Sequence, residues 1–232
     1  MSEDQGIPVP EEPLPAQSTN KDERPSRHIR RKGKIKGFHV GPKVVNGRIP
    51  FWTDIQRDAM RLLDVDQRVQ QYGPCTLPPV KVEVEGKPMS YQALLTVNLI
   101  RTIVVFDIVR TNGTFADMVR RAYAAHGYAY AFIEEARVRQ DPAFSNALEI
   151  ENARCVEVPE SLALFTKQAL GRGIKDMSGL EAALANWQAS RPLPRGGRAT
   201  SPRMLAYALF LHRHIRFDPF TEPVTGRTAV SL

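Results

Sequence analysis

The spacing of apolar positions places the first ordered element at Phe51. Ile55, Ala59, Leu62 and Leu63 recur at helical intervals in TDIQRDAMRLL, and Thr53 or Asp54 stands where an N-cap belongs, so a helix is predicted over 53–63. VDQRVQQYGP then runs through a turn into strand. Lys81–Glu85 alternates, Gly86-Lys87 supplies a turn and Ser90–Asn98 returns, which predicts a hairpin. RTIVVFDIV, over 101–109, is almost continuously apolar and rich in β-branched residues, as a central strand covered on both faces would be. Asn112-Gly113 closes it. Thr114–His126 carries Phe115, Met118, Val119 and Ala122 on one face and is predicted as a helix capped by Gly127, followed by a buried strand over Tyr128–Glu134. This order predicts an α/β core, a mixed sheet flanked by helices.

From Pro159 the texture becomes helical. Glu160–Leu170 ends at Gly171, Ser178-x-x-Glu181 has the form of a capping box opening a helix over 179–189, and Ser201-Pro202 starts a helix running to about His212. Ile215–Asp218 and Thr228–Ser231 read as two short strands joined by a turn containing Pro219, Pro223 and Gly226. Three helices and a two-stranded wing predict a small winged-helix-like module. Trp52, Leu62, Leu63, Val104, Val105, Phe106, Phe115 and Phe132 are core by pattern, as are Leu205, Leu209, Phe210 and Trp187 in the C-terminal part. Trp187 is also a candidate partner contact.

Composition adds bounds. None of the 232 residues belongs to an apolar run near the roughly 20 residues of a membrane span, and no basic-then-apolar leader is legible at the N-terminus. Cys75 and Cys155 form neither a CxxC site nor a disulfide framework, so a reducing cytoplasm is expected. Charge changes the picture more. Residues 1–23 are acidic and Pro-rich, at −5, and read as a disordered tail. Residues 24–48 hold nine bases and no acid, whereas 49–232 carries only +3. The net +7 is therefore concentrated in one Gly-containing stretch, read as an extended arm for a polyanion, with Arg27, Arg30, Arg31, Lys32, Lys34, Lys36 and Lys43 as candidate phosphate contacts. A solubilising or import-like patch is the bland alternative. No Gly-rich phosphate loop occurs, and His212 and His214, two apart on a helix, face different ways and make no metal site.

Several segments in order resemble one family. RRKGKIKGFHVGPK is similar to the basic leader, IPFWTDIQRDAMRLLDVDQRVQQY to the first helix and following step, and EVEGKPMSYQALLTV to the hairpin of TnsA, the endonuclease of heteromeric cut-and-paste transposons. FADMVRRAYAAHGYAYAFIEEARVR and FDPFTEPVTGRTAV resemble its next helix, strand and closing wing. The likeness covers most of 24–232. It implies a restriction-endonuclease-like fold, DNA as substrate, a transposase or ATPase regulator as protein partner, no membrane, and a cytoplasmic, nucleoid-associated setting in a bacterium. The organisation expected is a tail over 1–23, a basic arm over 24–50, a nuclease-fold core over 51–158 and a helical module over 159–232.

The family's active positions are replaced. Its helix glutamate falls at Gln56 and its hairpin Pro-Asp-Phe at Gln92-Ala93-Leu94, so the acid falls at Ala93. Its Glu/Gln-x-Lys falls on FDIVR, either as Asp107-x-Val109 or as Ile108-x-Arg110. Two carboxylates are needed to hold Mg²⁺, and an amide with a methyl does not supply them. The expectation is a nuclease fold retained for DNA binding in transposition, without a metal cofactor. Two alternatives stay open. One is an active Mg²⁺-dependent endonuclease with a rearranged site built from Asp54 or Asp58 with Asp107 and Arg110. The other is a winged-helix DNA-binding regulator.

Overall fold

The computed structural model describes residues 34–84, 86–109, 113–191 and 199–232. The tail over 1–23, four of the candidate phosphate contacts (Arg27, Arg30, Arg31 and Lys32), Arg110 and Asn112 lie outside those residues. The chain is α/β. A four-stranded mixed sheet has the order β3 (Val69–Pro74), β6 (Leu95–Leu99), β7 (Ile103–Val109) and β8 (Ala129–Glu134). β7 is internal as its apolar run predicts, antiparallel to β6 and parallel to β8.

Helix α1 (Asp54–Val65) covers one face of the sheet and α2 (Gly113–Ala124) the other. The β7 register shows how. Phe106 and Ile108 join Met60 and Leu63 of α1, whereas Val105 and Val109 join Ala116, Val119 and Tyr123 of α2. The side-chain period of two along a strand thus divides the core into two layers. The hairpin of β4 (Val80–Val84) and β5 (Lys87–Tyr91) packs on the α2 side.

The return strand predicted over Ser90–Asn98 breaks into β5 and β6, which belong to different sheets. The break falls at Gln92–Leu94. Gln92 Nε2 donates to the carbonyls of Cys75 (2.9 Å) and Leu77 (3.1 Å), and Ala93 N donates to the Tyr123 hydroxyl (3.0 Å). These bonds replace ladder bonds at the crossing.

Beyond the sheet come α3 (Glu135–Val138), α4 (Ala143–Glu151), α5 (Glu160–Gly171), α6 (Met177–Ala189) and α7 (Pro202–Leu211). α6 begins earlier than its sequence suggests, because the cap is Asp176, whose carboxylate accepts from Gly179 N at 2.8 Å. Ser178 lies inside the first turn, and Glu181 pairs with Arg203 instead. The predicted wing reduces to one bridge between Arg216 and Ser231. Ala229 pairs with Asp176, while Pro219 and Pro223 remove donors from the intervening segment.

The helical part shares its core with the rest of the chain. Val65, Ala147, Ile150 and Ala153 pack with Leu180, Leu184 and the α7 residues Leu205–Leu211, so this layer crosses residue 158. Polar bonds cross it too. Asn146 Nδ2 donates to the carbonyls of Pro219 and Glu222, each at 2.8 Å, and its oxygen accepts from Val224 N at 3.1 Å. No helix among the described residues is long and apolar enough to cross a membrane.

Candidate nucleic-acid interface and the displaced catalytic positions

Within the basic segment, the described residues 34–48 are part of the fold. β1 (Gly37–His39) pairs antiparallel with β2 (Ile49–Phe51), making a two-stranded ribbon that leads directly into α1. The alternation Lys36, Phe38, Val40 against Gly37, His39 in the sequence carried this signal, which an extended-arm reading passes over. His39 points inward and its Nε2 lies 2.8 Å from Asp64 Oδ2. The other Asp64 oxygen accepts from the Tyr72 hydroxyl at 2.9 Å. Burial first, and then the Asp64 carboxylate, push the Tyr72 hydroxyl well above the usual tyrosine range. Gly41 lies so close to this carboxylate that a Cβ there would collide with it.

Lys43 departs from its expected role as a phosphate contact. It is 7% exposed, and its ammonium donates to the carbonyls of Leu63 (3.2 Å) and Asp66 (2.6 Å), so it is spent on fastening the segment to the end of α1. Burial lowers its pKa to about 8, against the opposing pull of Asp64. The unfolded chain holds this proton to a higher pH, so stability should rise from about pH 8 towards 10. Above about 10 the trend should reverse, because the buried tyrosines, Tyr123 among them at about 12, keep protons that the unfolded chain releases. Urea midpoints measured across this range should show the rise, and Lys43→Met should flatten it.

Lys34, Lys36 and Arg48 are exposed, unlike Lys43. Lys36 Nζ lies 2.8 Å from Asp54 Oδ2, and this bond is the main reason that the Asp54 pKa is lowered. One turn along α1, Asp58 is 1% exposed and saturated. It accepts from Arg57 Nε (3.2 Å), from Arg61 Nη1 (2.9 Å) and from both Nε (2.8 Å) and Nη2 (2.7 Å) of Arg139. A carboxylate held by three guanidinium groups ties α3 to α1. Arg57 and Arg139 stay partly exposed around this carboxylate, near the Lys36–Asp54 pair at the α1 N-terminus. Arg57 and Arg139 escape a reading by composition, because only the fold brings 139 to 57.

Of the positions that the resemblance singles out, Ala93 and Asp107 lie in the Tyr123 layer on the α2 side, whereas Gln56 is on α1. Gln56 is at the N3 position of α1, where its Oε1 accepts from Trp52 N (2.8 Å) and Thr53 N (3.2 Å) while Thr53 Oγ1 accepts from Gln56 N (3.3 Å). This reciprocal capping box needs only a carbonyl-type oxygen, so glutamine fills it without a charge. Ala93 is buried at the crossing between sheets. Asp107, 2% exposed, is on the face that α2 and the hairpin cover, opposite to α1. There it accepts from the Tyr91 hydroxyl, and its Oδ1 accepts from Ile108 N at 2.8 Å. Tyr123 and Tyr130 share that layer, and burial followed by the nearby Asp107 charge raises the Tyr130 pKa.

Of the two registers on β7, the one beginning on the face of α1 starts at Ile108, an apolar residue packed with that helix. Asp54 and Asp58 are therefore separated from Asp107 by the sheet. Among the described residues no group of three or more His, Cys, Asp and Glu is arranged to hold a metal ion. Mg²⁺ needs oxygen ligands converging on one point, and Asp54 and Asp58 do not converge with Asp107. No protein-family model matches the chain, and none of the curated proteins compared with it is significantly similar.

Proposed function

We propose that this chain is a TnsA-like DNA-binding protein of transposition, acting in transposon-end recognition or in assembly with a transposase or ATPase regulator. Its nuclease-type fold is kept as a platform without cleavage chemistry. The observation that carries this reading is the charge along 24–48, nine bases and no acid. Its described part adds Lys34, Lys36 and Arg48 as exposed cations, and Arg57 and Arg139 are partly exposed at α1. Phosphates are the ligands such a surface takes, with little preference for sequence. The cleft between α5 and α6 is the surface we assign to the protein partner. Leu164 is exposed there, and the Arg191 guanidinium lies 3.9 Å from the Trp187 ring centroid.

A winged-helix regulator would insert a recognition helix into a groove. α7 is buried at every position from Leu205 to Leu211, and α6 contains neither Lys nor Arg, so neither helix suits that role. An endonuclease would need the carboxylates that the sheet separates.

The test combines binding and cleavage on supercoiled and linear DNA. The expected result is steeply salt-dependent binding with weak sequence preference, and no cutting in Mg²⁺ or Mn²⁺, alone or with a transposase. Cleavage abolished by Asp107→Ala would overturn the binding-only reading. No binding even at low salt would remove DNA as the ligand.

A further inference from the structure

We propose that the β1–β2 ribbon is a stacking site for unpaired DNA bases, with Phe38 as its platform. The inference deepens the DNA-binding reading and rests on it.

Phe38 is 50% exposed on a strand that is fastened from its other face. Its neighbours in sequence are Gly37 and His39. His39 is pinned by the buried Asp64, and Gly37 lets the strand lie against Phe51, since a Cβ there would stand 2.8 Å from the ring. The ladder pairs Gly37 with Phe51, Phe38 with Pro50 and His39 with Ile49, and Lys36 N extends it by donating to Phe51 O at 2.9 Å. Phe38 is thus presented by a rigid ribbon, and its outward orientation follows from the strand period once His39 is buried.

Exposed apolar side chains concentrate here. Of the eight large exposed hydrophobic residues found among the described residues, four (Ile35, Phe38, Val40 and Val45) fall on this short segment. An apolar patch alone would fit many partners. Its setting selects one. The Arg48 guanidinium lies over the Phe38 ring at 4.8 Å from the centroid, and Lys34 and Lys36, just ahead of β1, are exposed. Arg24, Arg27, Arg30, Arg31 and Lys32 precede it in sequence, and no acid occurs between residues 24 and 48. An aromatic ring under an arginine, in a segment without acids, matches a ligand that offers a flat π-face and phosphates together. In an intact duplex the base faces are stacked on one another and out of reach. The ring therefore selects DNA in which bases are unpaired, such as a single-stranded extension at an end or a gap.

The experiment compares the full chain and its variants by fluorescence anisotropy on a duplex and on the same duplex with a short single-stranded extension. Wild type should bind the extended DNA more tightly. Phe38→Ala should erase that advantage, costing about 5- to 100-fold on the extended DNA with duplex affinity unchanged, and Phe38→Trp should retain it. A 2-aminopurine in the extension should change its fluorescence on binding wild type and Phe38→Trp but not Phe38→Ala. Equal wild-type affinity for the two DNAs, or an equal loss on both with Phe38→Ala, would overturn the stacking site while leaving DNA binding standing. Failure of wild type to bind either DNA would overturn both. An unchanged melting temperature of Phe38→Ala, expected for so exposed a ring, separates loss of stacking from loss of fold.

Discussion

Replacing Arg24, Arg27, Arg30, Arg31 and Lys32 together by serine should weaken duplex DNA binding by about 100-fold or more near physiological salt, and alike on all sequences. The reason is counterion release. Each cation placed on a phosphate frees condensed counterions, so the salt dependence of log K should flatten by about 0.9 for every phosphate no longer neutralised, or roughly 4 to 5 if all five act. Titrations at several salt concentrations read both quantities from one protein. Replacing these five side chains is also the cleaner experiment. Deleting the whole basic stretch would remove β1, His39 and Lys43 and so damage the fold. An affinity and slope unchanged by the five substitutions would show that the arm does not bind the DNA.

Asp64→Ala should have the largest effect on stability, about 3–5 kcal/mol, the usual penalty when one member of a buried charged cluster is removed. The carboxylate receives the Tyr72 hydroxyl at 2.9 Å, faces His39 Nε2 at 2.8 Å, and attracts the buried Lys43 ammonium. Its loss strands His39, leaves the Tyr72 hydroxyl with the Met60 carbonyl alone, and removes the charge that offsets Lys43, all in a buried site. Tyr72→Phe keeps the carboxylate and removes a single donor, so it should cost less, about 1–3 kcal/mol. Urea denaturation of the two variants beside wild type checks the order. A cost below about 1 kcal/mol for Asp64→Ala would mean that His39 and Lys43 find water on relaxation. The same substitution should loosen the ribbon, linking the core of the protein to the surface that presents Phe38.

Much of the α/β core was legible because its signals are local. β7 announces itself by an almost continuous apolar run rich in β-branched residues, α2 by a helical stripe, and α1 by its apolar spacing after an N-cap at Thr53. The parts that pattern does not give depend on neighbours distant in sequence. A strand over 90–98 continues by pattern, yet Gln92 and Ala93 spend their bonds on Cys75, Leu77 and Tyr123, and the chain changes sheets. The predicted wing shortens to the Arg216–Ser231 bridge, and Ala229 pairs with Asp176 instead. α3 and α4, not legible as helices in the sequence, are short and draw their partners from α1 and α7.

The candidate site divides along the same line. Sequence alone determined that nine bases stand without an acid over 24–48, that Gln56 and Ala93 carry no charge, and that a carboxylate lies on the central strand. Charge and residue type are properties of the chain, and folding does not alter them. The tertiary structure decided which charges can meet. It buried Lys43, set Arg139 against Asp58, turned Phe38 outward by turning His39 in, and placed Asp107 on the face of the sheet away from α1. Strand register and helix packing choose these faces, and a shift of one residue along β7 would have reversed the outcome for Asp107.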